Sequence, residues 1–61
     1  MWRVLKFVAW VLKQAWKYGA SKVAKAASWA KNNWRTVLKW LDRGIAYGTI
    51  LHWILQHLGL A

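Results

Sequence analysis

The sequence predicts an all-α fold, a compact globule of four short helices spanning about residues 2–17, 21–32, 34–42 and 45–58. Three observations predict it. Apolar residues recur at helical spacing along nearly the whole chain. Proline is absent while Ala, Leu, Lys and Trp are abundant. Gly19, Asn32-Asn33, Gly44 and Gly59 interrupt the pattern where helices would stop. At 61 residues the chain is read as one helical domain, residues 1–61, and a domain of that size buries only roughly 60% of the surface its unfolded chain exposes. With no cysteine, neither disulfides nor a cysteine-based metal staple can assist, so packing between helices must carry the stability.

The first helix presents Val4, Leu5, Val8, Val11, Leu12, Ala15 and Trp16 on a broad apolar face, with Arg3, Lys6, Lys13, Gln14 and Lys17 opposite. Trp10 falls among Lys6, Lys13 and Lys17, on the side the core is not expected to reach. Gly19 closes the helix, with Lys17 near the negative end of its dipole. Ser21 is the candidate amino-terminal cap of the second helix. That helix turns Val23, Ala26, Ala27 and Ala30 inward and Lys22, Lys25, Ser28 and Asn32 outward. Trp29 lies between Lys22 and Lys25, repeating the surroundings of Trp10.

Asn32 or Asn33 can cap the third helix. Its inner side is Trp34, Val37, Leu38 and Leu41, its outer side Arg35, Thr36, Lys39 and Arg43, and Trp40 sits at the margin. Asp42, the only acid in the protein, lies beside Arg43 and three residues after Lys39, which suits a local tether. The last helix carries Tyr47, Ile50, Leu51, Ile54, Leu55 and Leu58, with a narrow polar strip of Thr49, His52 and Gln56 and no charged residue. Gly48 inside it costs up to about 1 kcal/mol relative to Ala. The expected core is Val8, Leu12, Val23, Ala30, Trp34, Val37, Leu38, Leu41, Ile50, Ile54 and Leu58, joined by Trp16 and Trp53.

Ten basic residues against one acid leave a net charge of +9, which would repel itself without a polyanionic partner. Seven tryptophans in a chain that is 59% hydrophobic favour an anionic membrane surface over nucleic acid. The expected docking residues are Arg3, Lys6, Lys13, Lys17, Lys22, Lys25, Lys31, Arg35, Lys39 and Arg43, with Trp10, Trp29 and Trp40 entering the headgroup region. No run of about 18 apolar residues could span a bilayer, and no cleavable signal peptide is legible. Ser21, Ser28, His52, His57 and Asp42 hold the letters of a catalytic triad without any motif around them, so no catalytic residue and no enzymatic activity are expected. His52 and His57, about 140° apart round a helix, cannot share a metal as an i, i+4 pair could, and no cofactor is expected.

Lys17-Tyr18-Gly19, the alanine-rich stretch from Val23 to Trp29, Lys31, and Val37-Leu38-x-Trp40-Leu41-x-x-Gly44 together resemble the leaderless bacteriocins of the aureocin and lacticin Q type. The similarity runs over nearly the whole chain. It implies a saposin-like four-helix fold, secretion without a cleaved signal and with the initiating Met1 kept, and permeabilisation of the membranes of competing Gram-positive bacteria. The partner would be the anionic lipid membrane of the target cell, with neither nucleic acid nor an obligate protein receptor required. On this reading the bundle docks, then opens or tilts to offer the apolar side of the first or last helix to the acyl chains. The alternatives are a small basic nucleic-acid-binding protein, reading through the helices that flank Asn32-Asn33, and a small subunit of a membrane-associated complex.

Overall fold

In the computed structural model, which describes residues 2–60, the helices are α1 (Trp2–Leu12), α2 (Ala15–Tyr18), α3 (Ala20–Asn32), α4 (Trp34–Asp42) and α5 (Tyr47–His57). No strand forms among these residues, so the class is all-α. The expected first helix is broken in two. At Lys13 and Gln14 the backbone tightens, with the Gln14 amide donating to the Val11 carbonyl at 2.9 Å instead of reaching back to Trp10. The Gln14 side chain donates to the Trp10 carbonyl in its place, at 3.3 Å, and Gln14 takes a φ of −86° and ψ of 5°. A local side-chain bond of this kind competes with helix continuation. The break lets the chain turn so that α2 packs along α3.

Two other boundaries move. The second expected helix starts at Ala20 rather than after Ser21, with Gly19 at the cap position and no side-chain cap, so Ser21 lies exposed in the first turn. Ile45 and Ala46 do not join α5; Ala46 is extended, with a φ of −66° and ψ of 148°. The reason is the end of α4. Gly44 has a φ of +78° and donates to the Leu41 carbonyl, while Ile45 donates to that of Trp40. These two bonds form a Schellman stop, which turns Ile45 back onto the core. The same pair of bonds closes α5, from Gly59 to Gln56 and from Leu60 to Leu55. Asn33 does not cap α4 with its side chain; its amide donates to the Trp29 carbonyl at 3.0 Å and so finishes α3.

Alpha-helix α3 is the centre of the bundle and touches all four others. Its inner side of Val23, Ala26, Ala27 and Ala30 is small enough to let them approach closely, and all four residues are buried. Around it close Val4, Phe7, Val8 and Val11 of α1, Val37 and Leu41 of α4, and Ile50, Leu51, Ile54 and Leu55 of α5. The radius of gyration is 10.3 Å, against about 10.5 Å for a compact chain of this length.

Several expected core positions are corrected by this packing. Leu12 is half exposed, at 50%, and Trp16 is the most exposed large apolar side chain among the described residues, at 84%. Trp34, Leu38 and Leu58 are half-buried at the margin of the core, and Trp53 is exposed. Phe7, which had no place in the expected face, is fully buried. Turning Phe7 inward rotates the inner face of α1 by roughly 60°, less than one residue step round a helix, and carries Leu5, Leu12 and Trp16 outward. The wide expected face was the average of two faces.

Gly19 has a φ of 93° and ψ of 141°, a region essentially reserved for glycine. No atom lies within 4 Å of where a Cβ would stand, so the cost of a side chain is purely one of backbone strain. Gly19→Ala is therefore expected to lower stability by about 1–3 kcal/mol. A thermal melt checks this; an unchanged midpoint would show that the joint between α2 and α3 relaxes without cost.

Candidate functional surface

All ten basic side chains are exposed, and they are distributed over α1 to α4 and the turns that follow α1 and α4, leaving α5 without any. One is spoken for. Arg3 pairs through Nη1 with Asp42, and its Nη2 donates to the Leu41 carbonyl at 3.0 Å. Asp42 is thus not a local tether to Lys39 or Arg43. It clasps the amino-terminal turn of α1 to the carboxy-terminal end of α4, where a cation also suits the helix dipole. Since both partners are more than half exposed, the pair is worth at most about 1 kcal/mol. The other expected docking cations, Lys6, Lys13, Lys17, Lys22, Lys25, Lys31, Arg35, Lys39 and Arg43, face water without any acidic partner among the described residues.

The three tryptophans expected to enter a headgroup layer are placed differently. Trp10 is half-buried; its ring lies against Phe7, centroids 6.3 Å apart, and against Tyr47 at 5.5 Å. Phe7 and Tyr47 meet edge to face at 5.3 Å, completing a three-ring cluster between α1 and α5. Trp29 and Trp40, also half-buried, stack nearly parallel at 6.1 Å, and Trp53 meets Trp40 edge to face at 5.3 Å. His57 packs on the other ring of that group, 5.5 Å from Trp29. Trp10 and Trp29 therefore hold helices together as well as showing an edge to water, a correction to the expectation that the core does not reach them. The cation–π contacts seen are Lys17 over Tyr18 and Arg35 over Trp34, at 5.6 and 5.4 Å, and neither involves Trp10 or Trp29.

The rings free to leave water are others. Trp2 and Trp16, both on the α1–α2 arm, are 70% and 84% exposed, whereas Trp53 on α5 is 39% exposed and rests on Trp40. Helical spacing alone sets Trp16 with Leu5 and Leu12 on one apolar face, which hides its exposure from the sequence. A shallow open groove of about 330 Å³ is lined by Lys25, Ser28, Trp29, Asn32, Leu58 and Leu60. Its floor is apolar and its only charge is a lysine. No helix among the described residues is long and apolar enough to cross a membrane. No family model, curated protein or solved structure matches the chain.

Proposed function

We propose that the protein is an antimicrobial of the leaderless bacteriocin type, which docks on the anionic membranes of target bacteria and permeabilises them. The observation that carries this reading is one of surface composition. A folded surface bears nine cations without an acidic partner among the described residues and, beside them, large indole rings that the core does not need. Each Lys or Arg near an anionic leaflet contributes on the order of 1 kcal/mol, so four or five facing it suffice for salt-sensitive docking. An indole gains further by placing its ring at the headgroup level while its N–H stays hydrated. Neither a cofactor nor a protein receptor has a part in this mechanism, and it involves no covalent chemistry.

Leakage of a trapped dye from vesicles tests the reading. Anionic vesicles are expected to leak and zwitterionic ones to resist, with the effect falling as salt rises. Salt-sensitive binding to duplex DNA without leakage would instead favour the nucleic-acid alternative. Lys22→Glu combined with Lys25→Glu changes the net charge from +9 to +5, two units for each reversal. Both side chains are exposed on α3, so the helical circular dichroism spectrum should persist while anionic vesicles bind about tenfold or more weakly at low salt. Unchanged binding would place the docking surface elsewhere on the molecule.

A further inference from the structure

We propose that the outer face of α1 is the part that enters the bilayer, and that it enters with the bundle closed. The proposal rests on the membrane reading above and goes beyond it by naming the surface and by removing the opening step. Helix α1 is apolar on two sides. Its inner side, Val4, Phe7, Val8 and Val11, belongs to the core. Its outer side carries Trp2, Leu5, Ala9 and Leu12, all exposed, at successive spacings of three, four and three residues. Residues so spaced form one stripe along a helix. Leu5 and Leu12 are 43% and 50% exposed, and Trp16 follows on α2 as the most exposed ring in the protein.

A helix face turned to water is ordinarily polar, and a continuous apolar stripe there is a surface without its partner. Charge identifies the occupant. Lys6 and Lys13 fall along one edge of the stripe at helical spacing, and neither α1 nor α2 carries an acid. A second copy packed stripe to stripe would bring two such lysine rows together, whereas an anionic leaflet meets them with opposite charge. The dimensions agree with a helix lying in the interface. Eleven residues extend about 16 Å, too short to cross and long enough to lie flat with the stripe about 5–10 Å below the headgroups. Trp2 opens the stripe, and Trp16 stands just past its other end, where interfacial anchors belong.

The opposite arrangement, in which α5 swings out, would uncover Ile50, Leu51, Ile54 and Leu55, which are all fully or almost fully buried. That dismantles the core to expose apolar surface, while α1 already exposes it. Entry of α1 asks nothing of the fold.

The chain has no cysteine, so a single introduced one can be labelled uniquely with an environment-sensitive fluorophore. Ala9→Cys places the label in the middle of the stripe, and Gln56→Cys places it on the exposed outer side of α5. On anionic vesicles the label at position 9 should shift to the blue and become inaccessible to an aqueous quencher, while that at position 56 should stay wet. Leu5→Asn with Leu12→Asn should weaken vesicle binding about tenfold or more with an unchanged circular dichroism spectrum. Shielding at position 56 with position 9 wet, in a protein that binds vesicles, would overturn the proposal and leave the membrane reading standing. Absence of any vesicle binding would overturn both. If the double asparagine variant unfolds, the two labels decide alone. A stable dimer in buffer that the double variant dissolves would give the stripe to a second copy and overturn the proposal as well.

Discussion

Phe7→Ala is expected to lower stability by about 3–5 kcal/mol, which is the whole of what a core this small supplies. Phe7 is the largest of the fully buried side chains, it touches both Trp10 and Tyr47, and α1 is joined to α5 through it. Removing the ring leaves a cavity lined by aromatic and branched side chains that cannot collapse without moving a helix. Denaturant unfolding followed by circular dichroism measures the loss. Phe7→Leu keeps most of the volume and should cost less than about 1.5 kcal/mol. Equal losses for the two variants would mean that aromatic contact rather than filled volume holds the site.

Phe7 also marks where sequence reading stops. Apolar residues surround α1 almost completely, so periodicity admits two inner faces, one through Leu5, Leu12 and Trp16 and one through Phe7. The choice is made by Tyr47, forty residues away, whose ring meets that of Phe7 edge to face. No local pattern contains that contact. The same holds for Asp42, whose nearest cations in sequence are Lys39 and Arg43 but whose partner is Arg3. Where a helix has one unambiguous apolar side, the reading comes nearer, although Trp34 and Leu38 on that side of α4 stay at the margin of the core. The bounds of α4 and the burial of Val37 and Leu41 follow directly from such a side. Along α3, burial of Val23 and Ala30 was equally legible, because lysine, serine and asparagine occupy most of the remaining positions. The cations of the candidate surface were legible from composition alone, since ten basic residues cannot be buried in so small a core. Its tryptophans were not, because an indole suits a core and an interface alike, and only the packing of neighbouring helices separates the two.

Trp40→Ala and Trp16→Ala should divide along that line. Trp40 stacks on Trp29 of α3 and meets Trp53 of α5 edge to face, so it ties three helices together. Each such ring pair contributes about 0.5–1.5 kcal/mol beyond area burial, and the half-buried ring adds its own transfer term. Together these make Trp40→Ala about 2–4 kcal/mol destabilising. Trp16 belongs to the same residue type but has 84% of its surface in water, and its removal opens no cavity; a change within about 0.5 kcal/mol is expected. The order reverses at the membrane. A ring that already stands in water can enter a headgroup layer without leaving anything behind, so Trp16→Ala should reduce dye leakage from anionic vesicles at full stability. Trp40 can contribute to leakage only by supporting the fold, and raising the stability of the Trp40→Ala variant by a compensating substitution should restore its leakage. Measuring unfolding and leakage on both variants separates the two roles, and a Trp16→Ala protein that leaks dye like the parent would show that the most exposed indole takes no part in docking.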